Sequence, residues 1–409
     1  MKRFDRIKSL WIIGKSTLFE SLATIIFTLS LNKSLSASDR GIYSGDVAII
    51  FLTGFLSSIV FLRLMVRMHL RQELNPMKAT KILEINSVVV LSTIIVFLVF
   101  CSSRQHSIFP TIVVSIGIFT FSAWLFFHNY SSLFPADLYL LRSNQIYLVF
   151  MSISAILIPI MGLSGLECLI LWICVNIAST LYIVYKMLKL QHLGSRKSLS
   201  ISDVLPRKEL GKILFLVPVY ISIFDALKID MIIVRTNFGT RLLGLYAVMS
   251  SICLVIALLY RIFFVTYLNL NFTYLKNHGS RVIFISFYII LNLLIGTLLA
   301  ININVIFDLI ANNSYRATAS EFIILWLGNL SYWSRRLLYE LFQNLEIGFT
   351  AVASEILSSG LFFYLVLVSS SNSLKDFLQF YAISLIVGFI LLTTRIIYLI
   401  YGRQRISFN

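Results

Sequence analysis

Leu138-Tyr139-x-Leu141-x-x-Asn144 returns 200 residues later as Leu338-Tyr339-x-Leu341-x-x-Asn344, and Gly41-Ile42-Tyr43 returns 203 residues later as Gly244-Leu245-Tyr246. Each offset is close to half of the 409-residue chain. Two matches at nearly one offset mark two copies of one module, divided as 1–198 and 199–409. The solvent of that module follows from composition. Apolar residues make up 58% of the chain and the mean hydropathy is +0.88, more apolar surface than a soluble domain of this length needs, so the solvent is lipid. A duplicated module with membrane spans on both sides of the join is a transporter pattern.

A span needs about 20 mostly apolar residues. That rule predicts twelve helical spans, near 10–35, 42–65, 83–102, 108–130, 146–163, 166–186, 211–234, 242–270, 282–307, 318–338, 348–368 and 377–401. The first holds Lys15 and Glu20, is long for a signal peptide, and is expected to stay in the mature chain. The fourth and tenth are expected to run on to Asn144 and Asn344, with a kink at Pro135. With the N-terminus inside, cytoplasmic segments hold 24 of the 34 Lys and Arg and external segments 7. That split predicts an N-in, C-in topology. Both Leu-Tyr-x-Leu copies then fall at cytoplasmic ends of even-numbered spans, so the two six-span lobes share one orientation. The largest basic block, Lys186 to Lys212, is rich in serine and lies at the join; it anchors topology. The net charge of +16 is therefore explained by topology and anionic lipid, not nucleic acid.

Charge inside a bilayer costs about 2.5–3.5 kcal/mol per residue on insertion scales, so such residues face a cavity or a partner. Lys15 and Glu20 lie about 140° apart around a helix and do not pair easily. Asp225 and Lys228 are three apart and can pair locally, while Asp230 points nearly opposite Lys228. Arg261 sits deep in span eight with no acid nearby in sequence. Arg63 closes span two, and Arg335 with Arg336 closes span ten. Lys15, Arg63, Arg261, Arg335 and Arg336 belong to the inner half; Asp46, Asp225, Asp230 and Glu321 belong to the outer half, with Lys228 the exception. A lumen that is cationic at its inner end attracts a phosphate-bearing headgroup. Helix-end arginines also follow from positive-inside bias and snorkelling alone. The candidates for substrate contact are thus Lys15, Arg63, Lys228, Arg261, Arg335 and Arg336; those for ion coupling are Glu20, Asp225 and Asp230.

Enzymatic and metal readings fail on the residues. Gly14-Lys15-Ser16 imitates the end of a phosphate-binding loop, but position 9 is Ser9 and the segment enters the membrane. There is no H-E-x-x-H and no G-x-S-x-G. The five histidines are scattered, and Cys101, Cys168, Cys174 and Cys253 fall in apolar spans with no zinc or redox spacing. No metal, cofactor or catalytic residue is expected.

Ser36-Ala37-Ser38-Asp39-Arg40-Gly41-Ile42-Tyr43 resembles the short external turn, with Gly and Tyr opening span two, of bacterial polysaccharide-export flippases. Lys228-Ile229-Asp230, Phe238-Gly239 and Leu243-Gly244-Leu245-Tyr246 resemble the stretch that joins spans seven and eight in the same proteins. The full length is similar to the O-antigen (Wzx-type) branch of the multidrug/oligosaccharidyl-lipid/polysaccharide exporter superfamily. The resemblance implies a MATE-like, V-shaped fold of two six-helix lobes in the bacterial inner membrane. It also implies movement of undecaprenyl-diphosphate-linked oligosaccharide, an O-antigen or capsule repeat unit, to the external leaflet. Asp230 and Gly244 match the family pattern; no substrate-contacting residue carries over. The expected partners are the lipid-linked oligosaccharide, the bilayer, and a polysaccharide polymerase with its chain-length regulator. Three other readings compete. A drug or cation antiporter of the same superfamily would use Asp225, Asp230 and Glu20. A polymerase or ligase resembles its kind in carrying a long external catalytic loop, whereas here the external loops are about ten residues or fewer. A peptidoglycan-precursor flippase would by resemblance have fourteen spans.

Overall fold

The computed structural model describes residues 3–70, 76–103, 107–133, 137–191, 228–270, 278–311, 315–342, 347–368 and 373–406. Among them the chain is all-α, with twelve helices. They are α1 (Arg3–Ser34), α2 (Ala37–Leu70), α3 (Pro76–Ser103), α4 (Ile108–Leu133), α5 (Asp137–Met161) and α6 (Gly165–Gln191). After the join come α7 (Ile229–Leu270), α8 (His278–Ile301), α9 (Ile303–Ile310), α10 (Ala319–Leu341), α11 (Gly348–Val368) and α12 (Leu374–Ile406). Nine of the described helices are long and apolar enough to cross a bilayer, and the protein is a multi-pass membrane protein. Large side chains face outward along them, such as Val96 and Val99 on α3 and Ile283 and Ile290 on α8. That is the expected exterior of a helix whose solvent is lipid.

The chain forms two compact units, Met1–Thr236 and Asn237–Asn409. The boundary read from the sequence at 198/199 lies outside the described residues. In the first unit α1 and α5 run parallel. Asn144 Nδ2 donates to the Ser16 carbonyl (3.1 Å) and to Ser16 Oγ (2.9 Å), and farther along both helices Ser30 Oγ donates to the Ala155 carbonyl (2.6 Å). Helices α2 and α4 are also parallel: Ile50 covers Gly117, Phe51 stacks on Phe121 (4.2 Å between ring centroids), and Ser122 Oγ donates to the Gly54 carbonyl (3.2 Å). In the second unit α10 runs parallel to α12, with Gly328 against Tyr381 and Gly388 against Arg335, and antiparallel to α8, with Trp326 Nε1 on the Asn292 carbonyl (3.1 Å). Within each unit, then, packed helices that correspond to spans of equal parity (one with five, two with four, ten with twelve) are parallel, and those that correspond to spans nine and ten are antiparallel, as a chain that crosses the membrane at every span requires. Glycines at the crossings let the backbones approach where apolar burial gives no driving force.

Four helices start with the same device. Ser36, Ser164, Thr318 and Ser373 each accept from the amide three residues on, and the acid there, Asp39, Glu167, Glu321 or Asp376, bonds back to the cap residue. Each such cap stabilises its helix by about 1 kcal/mol. The cap on Ser36 corrects one expectation: α2 begins at Ala37, so the segment taken as an external turn is mostly helix. Two other expectations also change. Helix α4 ends at Leu133 and α5 begins at Asp137, so Asn144 belongs to the fifth helix and not to an extended fourth. The Leu-Tyr-x-Leu copies therefore lie at the start of α5 and the end of α10, on helices that are not counterparts. Span nine stops at Ile301, where Asn302 leaves the helical conformation (φ −102°, ψ 19°) and its side-chain Nδ2 donates back to the Leu298 carbonyl (2.9 Å).

The Gly-x-Tyr echo has a structural counterpart. Gly239 adopts a left-handed backbone (φ 82°, ψ 176°) and kinks α7. Gly41 is the fifth residue of α2, and Gly244 the fifth residue after that kink. Tyr43 and Tyr246 are both buried, and each packs on a phenylalanine, Phe27 at 6.2 Å and Phe377 at 6.0 Å.

Candidate functional site

In the first unit, Lys15 is exposed on α1, one residue before the buried Ser16 that faces α5. Glu20, half-buried, lies in electrostatic reach of the buried Tyr147, which has Thr24 and Trp172 beside it. That arrangement brings an acid from α1, a phenol from α5 and an indole from α6 into one neighbourhood. Asp46, the tenth residue of α2, is buried and accepts from Arg235 Nη1 at 2.7 Å. Arg235 crosses α2 at Gly45: a β-carbon there would stand 2.6 Å from Nη1 and 2.7 Å from Cδ, so only glycine leaves the path open.

Lys228 departs from its sequence reading. It is half-buried, with a left-handed backbone (φ 50°), and α7 starts at the next residue, so it is not inside a continuous seventh helix. Its carbonyl accepts from the amides of Met231 (3.1 Å) and Ile232 (3.4 Å), opening α7. Asp230 is buried in the first turn, where the helix dipole favours a carboxylate. Asp225 lies outside the described residues, as do the side chains of Arg63 on α2 and Arg261 on α7.

In the second unit, neighbouring arginines point to different surroundings. Arg335 is buried where α10, α11 and α12 meet. It forms an ion pair with Glu355, donates to Ser358 Oγ (2.8 Å) and the Ser354 carbonyl (3.2 Å), and lies against Gly388. The pair neutralises the charge inside the unit, so no substrate is needed to explain a buried guanidinium here. Arg336, one helical step round, is half-buried. Its guanidinium lies over the rings of Trp333 (5.6 Å) and Tyr260 (5.8 Å), and Nη1 donates to the Tyr332 hydroxyl (3.2 Å). Aromatic faces and a hydroxyl thus fix that cation in one orientation. Elsewhere in the unit Arg281 donates to the Leu341 carbonyl (2.8 Å), closing the end of α10.

Of the candidates read from the sequence, Arg335 and Arg336 are adjacent but serve separate neighbourhoods, and Lys228 and Asp230 flank the start of α7. Two charged residues of evident weight were missed. Glu355 carries a readable signal, an acid in an apolar span flanked by Ser354, Ser358 and Ser359. It sits at the depth of Arg335, and so departs from the pattern of acids in the outer half. Arg235 had only a faint one, the glycine beside Asp46. Among the described residues no three His, Cys, Asp or Glu side chains gather as a metal site would require.

Neither a protein-family model nor a curated protein sequence matches the chain. Solved structures match over almost its whole length. One is the lipid II flippase MurJ in an inward closed conformation, with a TM-score of 0.70 and 12% identity over 94% of this chain and 87% of that one. Another is the inward-facing conformation of a multidrug resistance MATE family transporter of the MOP superfamily, with a TM-score of 0.56 and 13% identity over 95% and 94%. At such identities the shared property is the fold.

Proposed function

We propose that the protein is a non-enzymatic flippase of this fold, which moves an undecaprenyl-diphosphate-linked oligosaccharide from the cytoplasmic to the external leaflet by alternating access. The observation that carries the reading is the likeness to the lipid II flippase at a TM-score of 0.70. A diphosphate bearing several sugars does not cross hydrocarbon unaided, because each unpaired polar group costs several kcal/mol. A polar path lined by cations, open sideways to the bilayer for the lipid tail, removes that cost. Lys15, Arg63, Lys228, Arg261 and Arg336 are the cations we assign to it, with Arg335 holding α10 to α11. Glu20, Asp225 and Asp230 are the candidates for ion coupling. On the charge split both termini face the cytoplasm; in a bacterial inner membrane, a polymerase and chain-length regulator would receive the product at the external leaflet.

A drug or cation antiporter is the second reading, favoured by the MATE likeness and by the buried carboxyl of Asp230. One strain set separates the two. In a deletion strain without a redundant exporter, labelled undecaprenyl-linked repeat units accumulate on the cytoplasmic leaflet. Wild-type protein clears them, Arg261→Ala clears them poorly at normal membrane abundance, and Arg261→Lys retains part of the activity. Normal surface polysaccharide in the deletion strain, together with lost dye efflux, favours the antiporter.

A further inference from the structure

Three features meet at the beginning of α7. Its first segment lies along α2: Ile229 packs in the apolar cluster around Ile59, and Arg235 reaches Asp46 across 189 residues of sequence. The chain leaves the first compact unit after Thr236, one residue beyond that arginine. Three residues later Gly239 takes the left-handed backbone that breaks α7. The residue that ties the segment down, the change of unit and the conformationally permissive glycine thus fall within five consecutive positions, 235–239.

We propose that the Asp46–Arg235 ion pair is a releasable latch. It fixes the first segment of α7 to α2, and Gly239 is the hinge about which that segment turns when the pair opens. The chemistry suits a latch better than a permanent clamp. Asp46 is 9% exposed at its side chain but Arg235 is 31% exposed, so water reaches one partner and can solvate it after separation. The bond is single, Nη1 to Oδ1, in contrast to the Arg335–Glu355 pair, where both partners are buried and two further acceptors hold the guanidinium. Gly45 leaves open the path along which the arginine crosses α2. Gly239 has no atom within 4 Å of where a β-carbon would stand, so its surroundings leave the hinge room to turn.

Deuterium exchange of the purified full chain in lipid nanodiscs tests the latch without any substrate. Asp46→Asn and Arg235→Gln each raise exchange of the amides at 229–238 by at least about tenfold, while α10 to α12 keep their protection. The charge swap, Asp46→Arg with Arg235→Asp, restores protection and so separates lost attraction from misfolding. A second arm rests on the transport reading above: Gly45→Cys with Arg235→Cys, in a background without the four native cysteines, is bridged by a short bis-methanethiosulfonate, which forms a disulfide to each cysteine with loss of methanesulfinate. The bridged protein stops translocating and regains activity on reduction. Unchanged exchange in Asp46→Asn, or exchange raised equally across both units, overturns the latch. Full translocation by the bridged protein overturns its release; if the unbridged protein does not translocate either, the transport reading fails while the exchange result still stands.

Discussion

Glu355→Ala will destabilise the second unit by about 3–5 kcal/mol, the largest effect expected of any single substitution in the described structure. The loss comes less from the missing attraction than from what remains. Arg335 keeps its charge among α10, α11 and α12 with 4% of its surface exposed, and it retains only Ser358 Oγ and the Ser354 carbonyl as acceptors. The converse experiment distinguishes the pair from its parts. Replacing both residues together, Arg335→Met with Glu355→Leu, removes the buried charge and its partner at once, and on the precedent of buried pairs it is near neutral or stabilising. Cys253 on α7, 2% exposed, is a reporter built into this unit. In a chain that keeps only that cysteine, maleimide labelling during heating shifts downward in Glu355→Ala, by on the order of 10 °C. It shifts little in the double variant. If Glu355→Ala labels at the wild-type temperature, the pair does not hold the three helices together.

Gly165→Ala will destabilise the first unit by about 1–3 kcal/mol, a large cost for one methyl group. Gly165 opens α6 against the first turn of α2, and a β-carbon there would overlap the carbonyl oxygen of Asp39. That oxygen belongs to backbone, in a turn fixed by the Ser36–Asp39 cap, so it has no rotamer into which to retreat. Cys168, one turn further along α6 and fully buried, is the matching reporter. Its labelling temperature falls in Gly165→Ala while that of Cys253 does not. The opposite pattern, or no shift in either, would contradict the close contact of α2 and α6.

The spans among the described residues and their alternation were legible because they depend on apolar length and composition alone. The Gly-x-Tyr echo was legible too, since a buried tyrosine about two turns inside a helix start constrains the same positions in each half. The Leu-Tyr-x-Leu echo misled because apolar helices repeat short patterns without sharing a place in the fold. That α4 and α5 are separate elements was less legible, because membrane helices tolerate a proline such as Pro135 as a kink. The Ser36–Asp39 spacing was readable as a helix cap and was taken for a turn. Sequence spacing could suggest a local partner for Lys228; it carried no sign of the left-handed backbone there. Partners across helices were the least legible. Nothing in the sequence joins Asp46 to Arg235, and spacing along α10 gives no sign that Arg335 has its partner in Glu355, 20 residues on.

Scrambling of a defined cargo decides whether the protein is a lipid-linked glycan flippase. Purified protein is placed in liposomes that contain a fluorescently tagged undecaprenyl-diphosphate oligosaccharide, and a membrane-impermeant glycan-oxidising enzyme is added outside. If the flippase reading holds, inner-leaflet cargo becomes accessible far faster than in protein-free liposomes, and Arg336→Ala slows this without altering the labelling temperature of Cys253. Cargo that stays in its leaflet for as long as in protein-free liposomes, with the protein folded and inserted, would contradict it.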